Sequence, residues 1–485
     1  MKDSTKLLAD ADKEKQTLLS EFAKLLEAHR WEFKQERTFV RMCVLAIGMI
    51  CALARHTVTQ GIWAVGQEGR DWTAWYRLFQ GKRFKEEDLA QRLVEETLKD
   101  APADAPYVTG VDTTQIPRSS KKMPGSGWLP SARTAIFKRG LHRAQRFLTC
   151  AWLPEIQQGF TRAIPIRFLA AFTAKAQPAD VGACKDWEAA LKFAKWMREL
   201  LDAAKRHGQW LVVLADGAFD KAELWRELPD RVVLIVRTAK NRVLRDMPAV
   251  STKPKSRRKY GDKAPKPEDH LHDKVGWQFS HINVRGRILK LRWKIRGCYL
   301  RETASHCPVF LLILGGASWH AGKREPRRCR RDPAYFLIRA VWRDGMWQLP
   351  FTPNWILAWV WQRWELEITH RELKACFGVG QMQCWNSAAA VLSVQWMVWL
   401  YAVMVLAGFR TWGWFGAPNI NSAWWFGAKR WSFNTLWRSF RLALWRLPEF
   451  KAVCTDSATN KPSIGRIERR QQNSNIAFDR PQNRL

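Results

Sequence analysis

Two aspartates of this chain lie where carboxylates could take part in catalysis or metal binding. Asp112 lies inside the strand-like stretch YVTGVDTTQIP, among apolar and small neighbours, and Asp216 ends the apolar stretch WLVVLAD just before a glycine. A buried carboxylate is costly unless it meets a cation, a hydrogen-bond network or a metal. The carboxyl ends of strands are where α/β sheets place working residues. Each aspartate alone is equally consistent with a cap or a turn, but together they predict carboxylates that hold divalent metal near a phosphodiester.

A third carboxylate would complete such a site, and the stretch RWELEITHRELKACFG (363–378) contains three glutamates. Helical spacing places Glu367 on a face with several cationic side chains, while Glu365 and Glu372 point elsewhere. The other members of that face are Arg363, His370, Arg371 and Lys374. An acid that holds metal beside cations that bind phosphate would suit an active-site edge. Spacing alone favours the alternative, a surface helix with i,i+4 ion pairs.

The metal that best fits three carboxylates is Mg²⁺, because it binds through few carboxylates and keeps its waters. Two such ions, about 3.5–4 Å apart, stabilise both the entering and the leaving oxygen of an in-line displacement. Mn²⁺ can take the place of Mg²⁺. Glu367 and His370 also form an ExxH element, as in carboxylate-bridged di-iron bundles, but those bundles need a second ExxH helix, which the sequence does not provide.

The charge of the chain favours a polyanionic partner. Its 485 residues carry 80 Lys+Arg against 45 Asp+Glu, which gives a formal net charge of +35. Because each neutralised phosphate releases condensed counterions, this excess favours nucleic acid over a ribosomal or membrane-surface role. The ten cysteines form no CxxC pair, which argues against a zinc finger and a disulfide framework. The charged N-terminus lacks the apolar core of a signal peptide, so we expect a cytoplasmic, nucleoid-associated protein.

The length predicts two or three domains. The pattern separates helical residues 1–100, alternating strands and helices at 105–242, a strand-rich region at 243–350, further helices at 351–450, and a polar tail at 451–485 expected to be disordered. The order of elements in 105–242 predicts an α/β fold with a mixed sheet, interrupted by a β-rich insertion at 243–350. The apolar stretch 388–409 could span a membrane by length. Because it stands alone, we interpret it as a buried helix and expect no membrane partner.

A helix-turn-helix-like element is predicted at 56–84, within the helical region. Thr57 can cap a short helix that stops at Gly66, and Asp71 can cap a second helix with one apolar stripe. The second helix and its flanks carry cations suited to DNA: Arg70, Arg77, Lys82 and Arg83. This spacing predicts an α-helical DNA-binding domain, although an ordinary helical bundle is equally consistent with it.

Three segments in order, GVDTTQIPRS, VVLADGAFDKAELW and RWELEITHRELKACFGVGQMQCW, resemble the DDE transposases of bacterial insertion sequences. The resemblance is to the branch with a YREK signature, closest to the groups of insertion sequences 701 and 4. Arg363, Glu367 and Lys374 match the R, E and K of that signature, whereas its tyrosine falls on Val360.

The resemblance implies an RNase H-like core in which Asp112, Asp216 and Glu367 are catalytic and hold two metal ions. It also implies Mg-dependent cleavage at terminal inverted repeats, then attack of the freed 3′-OH on target DNA, by a homodimer on paired ends. The helical domain would read the repeats, and the basic loops 252–266 and 323–331 would contact the DNA backbone. The first loop contains Arg257, Arg258 and Lys259. A DNA-binding regulator derived from such an enzyme, and an RNase H-like nuclease acting on branched nucleic acid, are the alternatives.

Overall fold

The computed structural model describes residues 17–69, 71–80, 83–131, 140–176, 181–248, 259–316, 318–321, 327–330, 332–416 and 430–448. Its helices are α1 (17–28), α2 (Glu36–Cys51), α3 (Val58–Ala64), α4 (Thr73–Tyr76), α5 (Glu86–Asp100), α6 (Asp186–Ala203), α7 (Ala222–Glu227), α8 (Asp269–His272), α9 (Pro353–Gln362), α10 (Trp364–Arg371), α11 (Ser387–Trp412) and α12 (Phe433–Arg446). Its strands are β1 (Tyr107–Pro117), β2 (Gly127–Pro130), β3 (Leu141–Trp152), β4 (Ile164–Ala170), β5 (Leu211–Ala215), β6 (Val232–Arg237), β7 (Leu244–Asp246), β8 (Gln278–Val284), β9 (Arg287–Arg301), β10 (Ala304–Leu314), β11 (Ser318–Ala321), β12 (Arg327–Arg330), β13 (Ala334–Arg339), β14 (Val341–Arg343) and β15 (Met346–Gln348).

Five strands form the core of one mixed sheet in the order β4–β3–β1–β5–β6. β1 pairs antiparallel with β3 and parallel with β5, and β5 pairs parallel with β6. β5 is buried throughout, and only the last residue of β6 is exposed. Such continuous apolar runs are expected of parallel strands covered on both faces. The arrangement fits an RNase H-like core and confirms the predicted α/β class.

The strand-rich region predicted as an insertion extends this same sheet. β13 pairs antiparallel with the open edge of β6, and β10, β9 and β7 follow outward from β13. An apolar edge strand leaves its backbone N–H and C=O groups unpaired unless another strand covers it. The region therefore continues the core rather than folding as a separate unit, because β6 needs a partner on both sides. Alternation in the sequence identified these strands but not the edge that they cover.

Helices cover both faces of the sheet and bury two apolar clusters. The larger cluster joins α2, α5, α6, α11 and α12 to one face, and the smaller one joins α9 and α10 to the other. α11 is apolar and long enough to cross a membrane, but its most apolar 18-residue window is 89% buried inside the protein. It is the central helix of the larger cluster, in agreement with the interpretation of 388–409 as a buried helix.

The N-terminal helices share the larger cluster with the rest of the chain. Thr57 caps α3 as predicted, since its side chain accepts a hydrogen bond from the backbone N–H of Gln60. The second helix is short, because α4 has four residues and is followed only by a 3₁₀ turn. Phe79 in that turn is buried against Trp396 of α11, with ring centroids 5.4 Å apart. So short a helix cannot lie along a major groove as a recognition helix does, and the helix-turn-helix prediction is not confirmed.

Candidate active site

Asp112 and Asp216 occupy adjacent positions on two parallel strands. The register pairs Val111 of β1 with Ala215 of β5. Asp112 directly follows Val111, and Asp216 directly follows Ala215. Asp216 follows β5 directly and begins a 3₁₀ turn that leaves the sheet. It is partly exposed, and it makes no ion pair with the residues that the structure describes. Two carboxylates from distant parts of the sequence thus meet at the carboxyl end of β5.

α10 brings Glu367 to these aspartates by packing directly on β1. The side chain of Leu366 lies against Gly110, where an added Cβ would stand 2.7 Å from Leu366 Cδ1. A glycine two residues before Asp112 therefore lets the helix approach the strand closely. Glu367 is the next residue after Leu366, so this contact sets its position relative to the sheet.

Arg363 links two of the three carboxylates. Its Nη2 donates a hydrogen bond to Oε1 of Glu367 at 3.3 Å, and its Nη1 lies 3.9 Å from Oδ2 of Asp112. The residue stands between α9 and α10, one helical turn before Glu367. The distance to Asp112 is too long for a hydrogen bond, so that contact acts through charge alone.

The pKa of Asp112 is raised to about 6, and the largest cause is burial, which disfavours the ionised form. The charge of Arg363 lowers the pKa, whereas the negative charges of Asp216 and Glu367 raise it. A single guanidinium does not balance three carboxylates. The site is therefore left with excess negative charge that a cation would relieve.

This donor set fits a hard divalent cation. Carboxylate oxygens are the ligands that Mg²⁺ prefers in proteins, and the negative charges of Asp216 and Glu367 add to burial in raising the pKa of Asp112. Within the described ranges, no three Asp, Glu, His or Cys side chains are already gathered at metal-binding spacing. Arg363 instead supplies the counter-charge between Asp112 and Glu367.

Comparison with known families agrees with this geometry. The model of the DDE superfamily endonucleases matches residues 31–298, more than half of the chain, and spans Asp112 and Asp216. The model of the transposase DDE domain matches residues 194–403 and spans Asp216 and Glu367. This chain belongs to the DDE superfamily of endonucleases. It matches no protein of curated function.

Lys374 of this DDE endonuclease also reaches the active-site strand. It lies in the π turn Glu372–Cys376 that follows α10, and its Nζ donates a hydrogen bond to Oγ1 of Thr114 at 3.1 Å. Thr114 is two residues beyond Asp112 and so faces the same side of β1. Turns of this type inside helices often occur at functional sites. Sequence analysis missed Thr114, although the two-residue period of a strand is a signal that points to it.

His370 is placed differently from the exposed cations of the same helix face. It is only 8% exposed, and its Nε2 lies 2.8 Å from Oγ1 of Thr149, the residue opposite Asp112 on β3. The pKa of His370 is lowered to about 3, mainly by burial and also by Lys374 and Arg363. The ring is therefore neutral near pH 7 and offers no positive charge to a phosphate. Its DNA-binding role was predicted from helical spacing, which carries no information about β3.

Two open grooves flank the carboxylates. One, of about 380 Å³, is lined by Glu367, His370, Arg371, Lys374 and Ala375. The other, of about 710 Å³, begins at Asp216, and its lining includes the basic Arg237, Lys240 and Arg242 and the acidic Glu268 and Asp332. Arg371 and Lys374 are exposed in the first groove, and Arg237 and Lys240 in the second. The site is thus open on both sides and bordered by cations.

The other two glutamates of the helix point away from the site, as helical spacing predicted. Glu365 is 5% exposed and forms ion pairs with Arg285 and Arg430, at 2.6 and 3.2 Å. Glu372 is 8% exposed; it accepts from Nη1 of Arg162 at 2.9 Å and from the hydroxyl of Tyr401 at 2.6 Å. Both glutamates are neutralised inside the protein, so neither is available to a ligand.

Asp220 is an acidic residue that sequence analysis did not single out. It is 2% exposed, and its carboxylate accepts hydrogen bonds from Trp225 and Thr238 and ion-pairs with Arg242 and Arg301. It closes the 3₁₀ turn that Asp216 opens. Asp220 therefore fixes the segment that carries Asp216, although it is not itself exposed to a substrate.

The other predicted DNA-binding residues that the structure describes do not line either groove. Arg77, Arg83 and Lys259 lie elsewhere, with Arg77 and Lys259 exposed. Outside the described residues lie Arg70, Lys82, Arg257, Arg258 and the polar tail 451–485. Val360, at the tyrosine position of the YREK signature, is partly buried and packs against the smaller apolar cluster.

Proposed function

We propose that this DDE endonuclease is the transposase of an insertion sequence of the YREK branch, closest to the groups of insertion sequences 701 and 4. It would cut DNA at the terminal inverted repeats of its element and join the freed 3′-OH ends to target DNA. The observation that carries the proposal is the meeting of Asp112 and Asp216 on parallel strands, with Glu367 tied to Asp112 through Arg363. The transposase DDE domain match supports it.

Asp112, Asp216 and Glu367 would hold two Mg²⁺ ions, or Mn²⁺ in their place. When bound, such ions lower the pKa of the attacking water or hydroxyl and stabilise the leaving oxygen. The protein itself provides the cations at the border of the site. Arg371 and Lys374 are placed to contact phosphate oxygens in the groove beside Glu367, while Arg363 links Glu367 to Asp112.

His370 has a separate role in this proposal, because its ring is neutral and buried. Through Thr149 it ties α10 to β3 at the residue opposite Asp112. It would therefore position the glutamate helix relative to the aspartates rather than contact DNA. We further propose that the partners are element ends and target DNA, that a homodimer acts on paired ends, and that the protein works in the bacterial cytoplasm.

A strand-transfer assay with the element's own ends and Mg²⁺ tests the proposal. Asp112→Asn, Asp216→Asn and Glu367→Gln should each reduce joining at least about a hundredfold, since metal-held charge is worth several kcal/mol in the transition state. End binding should be preserved. Glu227→Gln is the matched control, because Glu227 is an exposed carboxylate close to Asp216 in sequence whose ion-pair partner is the exposed Lys195.

The outcomes separate this proposal from its alternatives. Joining by all three variants would refute the assignment of the carboxylates. Cleavage of branched DNA without any joining by the unaltered protein would instead indicate an RNase H-like nuclease. Binding of the ends with neither cleavage nor joining would indicate a DNA-binding regulator.

A further inference from the structure

One face of β1 contacts the glutamate helix α10 and the chain that follows it. Residues two apart on a strand lie on the same face, and on this face, continued one residue past the end of β1, they are Gly110, Asp112, Thr114, Ile116 and Arg118. Leu366, Arg363 and Lys374 contact the first three of these, in that order. Ile116 and Arg118 contact the loop 377–386, which leads from the glutamate helix to α11.

The loop 377–386 approaches β1 most closely at Gly380. This residue has a φ of +100°, and an added Cβ would stand 2.4 Å from Cγ2 of Ile116. A side chain at position 380 would therefore strain the backbone and collide with the strand. Glycine at this position lets the loop lie directly on the strand that carries Asp112.

Arg118 fastens this loop to β1 and β3. It is 4% exposed, and its Nη1 donates hydrogen bonds to the backbone carbonyl oxygens of Gly380 and Met382, the second at 2.9 Å. Its Nε donates to Oε1 of Gln145 at 2.9 Å. Gln145 lies on β3 directly opposite Ile116 and is fully buried. One guanidinium therefore holds two strands and the loop in a fixed arrangement.

The positive charge of Arg118 is buried without a carboxylate partner among the described residues. Burial lowers the pKa of Arg118 to about 10, so the group stays charged at pH 7. Burying a charge is costly, and the two carbonyl oxygens and the amide oxygen replace the water that it loses. Apolar packing would join the loop to the sheet at lower electrostatic cost, whereas a planar guanidinium also fixes the orientation of the loop.

The segment that carries Glu367 is thus fixed to β1 at two places. Leu366 lies against Gly110 on one side of Asp112, and Arg118 holds the loop on the other side, about 20 Å further along the strand. A shift of the glutamate helix along β1 would change the distance between the carboxylates of Asp112 and Glu367. The contacts of Arg118 oppose such a shift.

From these contacts we infer that Arg118 is a positioning residue for the carboxylate site: it holds the loop 377–386 on β1 and thereby sets the position of Glu367 relative to Asp112 for metal binding. The inference rests on the proposed role of the three carboxylates. Arg118 acts through the loop and the strand, because it is buried among them.

Arg198 provides a matched control, because it is also a buried arginine that binds backbone carbonyls. It is 7% exposed and donates hydrogen bonds to the carbonyl oxygens of Gln209 at 2.6 Å and of Arg206 at 3.0 Å. It differs in having a carboxylate partner, Asp202, on the same helix. These contacts lie at the start of β5, at the opposite end of that strand from Asp216.

The test compares Arg118→Met with Arg198→Met in the full-length protein. Thermal melting during titration with Mg²⁺ measures metal affinity without DNA, and cleavage and end binding are measured separately. Arg118→Met should weaken the Mg²⁺ affinity about tenfold and slow cleavage about ten- to a hundredfold with end binding unchanged, as expected for a residue that orients a metal ligand. Arg118→Lys should retain more of both, since an ammonium keeps a bond to one carbonyl. Arg198→Met should lose stability but keep its Mg²⁺ affinity.

Gly380→Ala alters the same contact from the side of the loop and should weaken Mg²⁺ binding in the same way. If Arg118→Met does not fold, Arg118→Lys against Arg198→Lys makes the same comparison. Equal Mg²⁺ affinities in the Arg118 and Arg198 variants, whether both normal or both reduced, would overturn the inference. Glu367→Gln separates the two proposals. If it loses the Mg²⁺ response while the Arg118 variants keep theirs, the inference alone fails; if it keeps the full response, the carboxylate assignment fails and the inference with it.

Discussion

The two segments that carry Asp216 and Glu367 also carry other carboxylates, and the structure surrounds these two sets of acids differently. The working set is Asp112, Asp216 and Glu367, and the supporting set is Asp220, Glu365 and Glu372. Each supporting carboxylate is buried and receives at least one arginine plus a second donor. The working set shares one arginine, Arg363, between two members. Carboxylates whose charge is not balanced by arginines destabilise the folded protein but can bind a metal ion. Carboxylates that are paired with arginines instead stabilise the contacts between helices and strands.

The sharpest way to separate the two sets is to change Asp216 and Asp220, four residues apart. Asp216→Asn should abolish cleavage at least about a hundredfold with an unchanged melting temperature, because this side chain is partly exposed and has no structural partner among the described residues. Asp220→Asn should cost about 3–5 kcal/mol of unfolding free energy, because it leaves the buried Arg301 without its carboxylate partner. Urea denaturation and a cleavage assay on both variants check this. An unstable Asp216→Asn with a stable Asp220→Asn would reverse the assignment of the sets.

Replacing Arg162, which pairs with the supporting set, should cost more stability than replacing Arg363, which pairs with the working set. Arg162→Ala removes the buried partner of Glu372 and should cost about 3–5 kcal/mol of stability. Arg363→Ala should cost only about 1 kcal/mol, since the carboxylate of Glu367 is 37% exposed and water can solvate it. Chemical denaturation measures both changes. Similar losses of stability would show that Arg363 is as structural as Arg162.

A divalent cation should stabilise the folded protein by binding to the working set and not to the supporting set. Mg²⁺ at a hundred times its dissociation constant should add about 2.7 kcal/mol to the unfolding free energy of the unaltered protein. Asp112→Asn should lose most of this gain, and Glu227→Gln should keep it. Thermal melting with Mg²⁺ or with EDTA measures the difference. A full Mg²⁺ response in Asp112→Asn would place the metal site elsewhere.

The smallest expected effect is on the pH dependence of stability without metal. The pKa of Asp112 is raised in the folded protein to about 6, above its unfolded value, so ionisation destabilises the fold. Lowering the pH from 7.5 to 5 protonates folded Asp112 and relieves part of this penalty, which is fully removed only below the unfolded pKa of 3.8. Asp112→Asn should therefore be more stable than the unaltered protein by about 1–2 kcal/mol at pH 7.5, with the advantage shrinking towards pH 5.

Glu372 of the supporting set should behave oppositely below pH 4.5. The pKa of Glu372 is lowered: burial raises it, but Arg162 and Tyr401 more than offset the burial. Its contribution to stability is thus present above pH 4.5 and is lost as the pH falls further. Denaturation in EDTA across this range compares the two groups. If the stability advantage of Asp112→Asn did not change with pH, the ionised carboxylate of Asp112 would not be the cause of the destabilisation.

Much of the fold was readable from the sequence where local pattern decides structure. β1, with Asp112 in its middle, has the bounds of the predicted stretch. The helix-turn-helix prediction was not confirmed, because α4 has only four residues and Phe79, in the 3₁₀ turn after it, is buried against Trp396 of α11. The burial of His370 was missed for a similar reason, since Thr149 belongs to another strand.

The sequence by itself determined which glutamate shares a helix face with Arg363, because helical periodicity is a local property of the chain. Only the tertiary structure decided which carboxylates are neutralised. The partners of Glu365, Glu372 and Asp220 include arginines 80, 210 and 81 residues away, at separations where no local pattern connects them. The pairing of β1 with β5 likewise brings Asp112 beside Asp216 across about a hundred residues of chain. Contacts between distant segments depend on how the sheet assembles, and that assembly brings the two aspartates to neighbouring strands and links Glu367 to Asp112 through Arg363.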